Sequence, residues 1–278
     1  MSDNSFLGAE KFLLKMWLHN RAEHTRRAYT HDVRDFLQWV QKPLGEIVLS
    51  DLQGWFDILQ GSEATRRRKV ASVKSLLHFA HEQGVLASDP GYGFRLKKSP
   101  DALHERIITQ EEALKLIREE KEPRKHALLR LLYVMGLRIS EACSLTWKDM
   151  VKNRQGGTMN IYGKGGKMRQ IGVPKDLWGE LEQLRDDSSP TAPVIPGRDG
   201  KTIQLKAAHR IVKRAAKRVG LPDEFSAHWL RHACASHAQD NGAPPHVVQH
   251  QLGHASLATT TRYTHARAGD SASSYLKG

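Results

Sequence analysis

The sequence predicts a mainly α-helical chain: a small, all-helical N-terminal domain, then a mixed, mostly helical domain with one small antiparallel β-hairpin. Three observations predict it. Apolar residues recur at three- and four-residue steps through the N-terminal third. A basic, turn-rich stretch opening with Asp89-Pro90-Gly91 interrupts the helical pattern. In the second part only residues 158–162 and 168–173 read as extended, around the turn Gly163-Lys164-Gly165-Gly166-Lys167.

Each element follows from its residues. Tyr29, Val33, Phe36, Leu37 and Val40 mark one helical face, which Pro43 and Gly45 end. Leu52, Trp55, Phe56 and Leu59 mark a second helix, closed by Gly61. Ser62 is the N-cap of a longer one through Val70, Val73, Leu76, Leu77 and Ala80, ending near Gly84. Its first turns carry Arg66, Arg67, Arg68 and Lys69. No acidic residue follows Glu63 there, so this face is expected to track phosphates rather than simply to be solvated. Domains are expected at 1–95 and 107–278, with a basic linker at 96–106 that includes Lys97 and Lys98 and follows Arg95. Thr109-Gln110-Glu111-Glu112 resembles a capping box that opens the second domain. A helix over 205–219 carries Lys206, Arg210, Lys213, Arg214, Lys217 and Arg218.

The 278 residues hold 43 Lys and Arg against 30 Asp and Glu, a formal charge of +13. Residues 1–100 have 15 basic against 11 acidic side chains and the remainder 28 against 19, so both parts are positive. Such a balance favours a polyanionic partner, because each neutralised phosphate releases a counterion. A hydrophobic share of 39% is that of an ordinary globular chain. Apolar runs are too short to span a membrane, and residues 1–10 lack a signal-peptide layout. Cys143 and Cys234 cannot build a disulfide framework; they read as small buried hydrophobes in a reducing compartment.

The densest chemistry lies in His228-Trp229-Leu230-Arg231-His232, then His254, then Tyr263. His228 and His232, and His246, His250 and His254, have the four-residue spacing that stacks imidazoles on a helix face. A zinc helix needs a Glu after its first His, where Trp229 stands, and the surrounding charge is positive, so no metal site is expected. The Gly163–Lys167 turn lacks the spacing of a P-loop, and its glycines suit a hairpin. Together these residues fit transfer at a phosphodiester. That chemistry needs cations on the non-bridging oxygens, a nucleophile and a proton donor for the leaving oxygen. Arginine forks meet the first need; Tyr, His and Lys meet the others.

Four boxes in order carry a family resemblance. Gly136-Leu137-Arg138-Ile139-Ser140-Glu141 resembles the first arginine box of the tyrosine recombinase (phage integrase) family. His228-Trp229-Leu230-Arg231-His232 is similar to its His-x-x-Arg box. Leu252-Gly253-His254 with Tyr263 nine residues on resembles its closing box, and Gly163-Lys164-Gly165 falls where the family places a hairpin lysine. The resemblance is firm over 107–270 and looser over the first hundred residues, which resemble the family's helical core-binding domain.

The resemblance implies a site-specific DNA recombinase, Xer-like, without the arm-binding domain of lambda-type integrases. Tyr263 would attack the scissile phosphate, forming a 3′-phosphotyrosyl bond and releasing a 5′-hydroxyl. Arg138 and Arg231 would grip the non-bridging oxygens, His228 would assist proton transfer at the tyrosine, and His254 would hydrogen-bond the phosphate. Lys164, ahead of Lys167 on the same turn, would protonate the leaving oxygen, and Glu141 would orient the site. No ATP, metal or other cofactor is implied. The partners implied are double-stranded DNA with an inverted-repeat core site and further copies of the chain. Those copies would form a tetramer through a C-terminal segment anchored by Tyr275 and Leu276. A second recombinase or accessory protein is also compatible; a membrane is not. The expected place is the cytoplasm, at the nucleoid. Phosphate contacts are expected from residues 66–69, Arg95, Lys97, Lys98, Arg210 and Arg214. The competing readings are a type IB topoisomerase and a non-catalytic DNA-binding regulator on the same fold.

Overall fold

The computed structural model describes residues 8–96, 107–163 and 168–253. The chain divides into two compact units, 1–100 and 101–278.

The described residues of unit 1 hold four α-helices: α1 (Gly8–Leu18), α2 (Glu23–Val40), α3 (Leu49–Ile58) and α4 (Glu63–Glu82). The α2 stripe buries Val33 and Phe36 against Val70, Val73, Leu76 and Leu77 of α4 and Leu52 and Trp55 of α3. Phe36 meets Trp55 edge-on, ring centroids 5.1 Å apart. Ser62 caps α4 by accepting from the Thr65 amide, an interaction worth about 1 kcal/mol. Helix α1 has no counterpart in the sequence-based expectation. It enters the core through Leu13 and Trp17, and Trp17 stacks on Tyr29 with the Arg21 guanidinium over both rings.

Unit 2 begins with α5 (Gln110–Arg118), where Thr109 and Glu112 form the expected reciprocal capping box. Next come α6 (Pro123–Tyr133), with proline in its first turn, and the short α7 (Ile139–Ser144). Strands β1 (Met150–Asn153), β2 (Gly156–Tyr162) and β3 (Met168–Pro174) form an antiparallel sheet in the order β1-β2-β3. The expected hairpin is β2–β3, with Ile161 opposite Arg169 and Tyr162 opposite Met168. β1 is an addition: only Met150 of its four residues is buried, so it has no alternation to read. Helices α8 (Lys175–Gln183), α9 (Leu205–Arg218), α10 (Ala227–Asp240) and α11 (Pro245–Leu252) follow. The fold is thus mainly helical with one small antiparallel sheet. No described helix is long and apolar enough to cross a membrane.

The core of unit 2 runs through Leu128, Leu129, Leu132, Leu137, Phe225 and Leu230, so α6 and α10 are its central pair. Buried His237 fastens the start of the unit to them. The Ile108 carbonyl can only accept, so Nε2 of His237 carries the proton (3.0 Å) and Nδ1 accepts from the Tyr133 hydroxyl (2.9 Å). Burial holds this imidazole below its ordinary pKa. Both cysteines are buried, and burial pushes their thiols up to about 11 for Cys143 and about 12 for Cys234.

Candidate active site

The first arginine box enters α7 through a tight turn. Gly136 has φ +61°, and a Cβ there would lie 2.6 Å from Leu252 and 3.0 Å from the Cys234 sulfur. Only glycine lets this turn press against α10 and α11. Arg138 then occupies the N-cap position of α7, and Glu141, in the first turn, reaches back to it. One carboxylate oxygen of Glu141 accepts from the Arg138 amide (2.9 Å), the other from its Nη1 (2.8 Å). Arg138 remains 42% exposed in its side chain while Glu141 is buried. A buried carboxylate therefore tethers a guanidinium that is open to solvent.

Arg231 comes from α10, whose three-residue step places it on the same face as His228. It is almost fully buried. Its Nη1 donates to the Gly136 carbonyl and its Nη2 to the Leu252 carbonyl, so it ties the first box to the end of α11. Burial, and next the charge of Arg138, push its pKa down to about 10, which leaves it protonated at neutral pH. His228 is exposed, and its ring meets His232 edge-on at 4.3 Å.

Glu141 has a second partner that the sequence motifs do not reveal. Arg169 on β3 holds it bidentately, Nη1 to Oε1 at 3.0 Å and Nη2 to Oε2 at 2.8 Å, with both side chains buried. Burial alone would raise the Glu141 pKa, but the Arg169 bonds, with those from Arg138, outweigh it and hold the carboxyl below its ordinary value. A signal was present: β3 alternates, and Arg169 shares the inward positions with Ile171 and Val173.

The end of α11 is clamped by the same two arginines. A helix leaves its last carbonyls unpaired. Here the Gly253 amide bonds those of Gln249 and His250, Arg169 Nε takes that of Gln251 at 2.8 Å, and Arg231 takes that of Leu252. Gly253 is left-handed at φ +65°, and a Cβ there would lie 3.0 Å from the Arg169 guanidinium. The backbone is thus fixed up to the residue before His254. Lys164, Lys167, His254 and Tyr263 lie outside the described residues, as do Lys97, Lys98, Tyr275 and Leu276. Among the described residues no cluster of His, Cys, Asp or Glu could hold a metal, and His246 and His250 are exposed on α11.

Two cationic helices differ from each other. On α9 one face is buried through Ala208, Ile211, Val212 and Ala215. The other exposes Arg210 and Arg214, which have no hydrogen bond or ion pair among the described residues. With Arg124, Arg198 and Arg218 they line a cleft of about 340 Å³. On α4, where the sequence shows no acid after Glu63, the cations find partners in the fold. Arg68 pairs with Asp32, Lys69 with Asp35 (3.1 Å) and Arg67 with Glu63 (3.4 Å). Arg66 donates to the Phe56 carbonyl (2.7 Å) and lies 4.3 Å over the Phe56 ring. The acids Asp32 and Asp35 come from α2, more than thirty residues earlier, beyond any local charge count. Arg95 is exposed.

The phage integrase family model matches residues 106–269, more than half of the chain, and that family's N-terminal SAM-like domain matches 9–84. Tyrosine recombinase XerC of Xylella fastidiosa (strain 9a5c) is 33% identical over 259 residues, covering 87% of this chain and 86% of the relative. XerC of Mycobacterium leprae (strain TN) is 31% identical over 269 residues, covering 88% and 89%. The fold is similar to that of a lambda integrase (75–356) dimer bound to a COC′ core site, with a TM-score of 0.75 at 19% identity, over 94% of this chain and 95% of that one. The ordered boxes, the arginine cluster they build and these relatives show that the chain belongs to the phage integrase family, as a tyrosine recombinase.

Proposed function

We propose that this recombinase cuts and rejoins DNA at an inverted-repeat core site through a 3′-phosphotyrosyl intermediate and a Holliday junction. The observation that carries the reading is the arginine cluster. Arg138 and Arg231 come from segments far apart in sequence, yet Arg231 donates to the carbonyl of Gly136, two residues before Arg138. Two guanidinium groups gathered at one turn suit an anion, which is what the transition state of phosphoryl transfer supplies.

The step balances without a cofactor. The Tyr263 hydroxyl oxygen forms a bond to phosphorus, the bond to O5′ breaks, and the phosphate ends on the tyrosine. His228 takes up the tyrosine proton, and Lys164 gives one to O5′. Arg138, Arg231 and His254 hold the non-bridging oxygens. A 5′-hydroxyl from a second duplex then attacks the phosphotyrosine, so bond energy is conserved. Residues 1–95 and 107–278 would close on the duplex as core-binding and catalytic domains, with Arg210 and Arg214 on backbone phosphates. Four copies would assemble through the C-terminal segment, in the cytoplasm.

Covalent capture tests the reading. The protein is incubated with nicked fragments of its own genome, and DNA that remains attached after denaturation is sequenced. Adducts at one recurring inverted repeat, lost in Tyr263→Phe, are expected. Scattered adducts would point to a topoisomerase, and binding without adducts to a regulator.

A further inference from the structure

We propose that Arg169 is a positioning residue: by occupying Glu141 it keeps the Arg138 guanidinium available to the scissile phosphate. The inference rests on the recombinase reading above and adds to it a residue outside the four boxes.

Three observations carry it. First, Arg169 stands at an inward position of β3, opposite Ile161 and on the same face as Ile171, and is buried, where a hydrophobic side chain would be the cheaper choice for stability. Second, Glu141 is shared. It takes two bonds from Arg169 but only one side-chain bond from Arg138, whose other N–H groups have no partner among the described residues. A carboxylate and a guanidinium left alone prefer two parallel bonds. Without Arg169, Glu141 has the free oxygen capacity to draw Arg138 into that fork and turn it away from the phosphate. Third, the remaining Arg169 donor, Nε, holds the Gln251 carbonyl, and its guanidinium underlies Gly253. One side chain thus sets the first arginine box and the backbone that leads into His254. Arg169 itself touches no reacting atom in this scheme; it acts through Glu141 and the end of α11.

The test uses single-turnover cleavage of a nicked core-site duplex carrying either a phosphate or a neutral methylphosphonate at the scissile position. Wild-type adducts that require Tyr263 test the recombinase reading by themselves; the ratios among variants test this inference. Arg169→Met should lower phosphate cleavage about a hundredfold, the scale of a misplaced catalytic group. Arg169→Lys, which keeps the charge but not the fork, should lie between it and wild type. Adding Glu141→Gln to Arg169→Met should restore the part of the rate lost through Arg138, because a neutral amide no longer captures it, and leave the part lost with the Gln251 bond. The methylphosphonate, which carries no charge for Arg138 to neutralise, should narrow the gap between wild type and Arg169→Met, as it should for Arg138→Ala. An equal deficit on both substrates would overturn the proposal and leave Arg169 as a packing residue. A crystal structure of Arg169→Met gives a readout that needs no cleavage. Two bonds from Arg138 to Glu141 are expected, and an unmoved Arg138 would also overturn it.

Discussion

Helices α4 and α9 look alike as strings of letters and behave differently as surfaces. Each carries a run of basic residues on an amphipathic helix. On α4 the charges are met from α2: Arg68 by buried Asp32, which also accepts from Ser72, and Lys69 by Asp35. On α9, Arg210 and Arg214 have no acidic partner among the described residues, although two like charges four residues apart weaken an isolated helix. The first set holds unit 1 together, whereas the second is open to an external anion. Charge density in a sequence is therefore not the same quantity as charge available for binding; the difference is made by what the neighbouring helix presents.

Acid should sharpen this contrast most, because it attacks every paired carboxylate at once. Glu141 has a folded pKa held below its ordinary value, so it contributes stability above the unfolded pKa that is lost as pH falls through the folded one. Thermal midpoints measured from about pH 7 down to about pH 3 should fall, and less steeply in Glu141→Gln. Arg210 and Arg214 have no carboxylate partner among the described residues, so their contribution should not change. A Glu141→Gln profile parallel to wild type would remove this pair from the account.

Next in size is Arg68→Ala. It strands Asp32 in the core of unit 1 with, among the described residues, only Ser72 as a side-chain donor, and should cost about 2 kcal/mol in denaturant unfolding. That figure is kept below the cost for a fully buried pair because the Arg68 side chain is 46% exposed. Arg67→Ala, whose partner Glu63 is exposed, should cost less than about 0.5 kcal/mol. Equal costs for the two would break the distinction between a cation paired with a buried acid and one paired with an exposed acid on α4.

The smallest effect on stability belongs to Arg210→Gln with Arg214→Gln, within about 0.5 kcal/mol. Binding should respond instead: the slope of log affinity against log salt should flatten by about 0.9 for each phosphate that is no longer neutralised. An unchanged slope would mean that the α9 stripe is merely solvated, and the comparison with α4 would lose its functional half.

Much of the architecture was legible because it is local. Ser62, the Thr109–Glu112 box, the α2 stripe and the hairpin on either side of residues 163–167 are statements about side chains within a few residues of one another. Helix α1 and strand β1 were not, since α1 shows itself only through Leu13 and Trp17 packing on other helices and β1 is mostly exposed. In the candidate site the four boxes could be read directly, including Arg138, His228 and Arg231. Their connections could not. Arg169 reads as one more basic residue in a strand until its inward position is noticed, and its link to Glu141 spans 28 residues.

The sequence by itself determined the helical class, the caps and turns, and the reactive residue types in their order, because periodicity, capping and motif spacing act over short stretches of chain. Only the tertiary structure decided which charges are compensated. It paired Arg68 with Asp32 and Arg169 with Glu141, buried Arg231 between two backbone carbonyls, and left Arg138, Arg210 and Arg214 facing solvent. The physical reason is that electrostatic compensation depends on distance in space and on burial, and neither quantity is carried by separation along the chain.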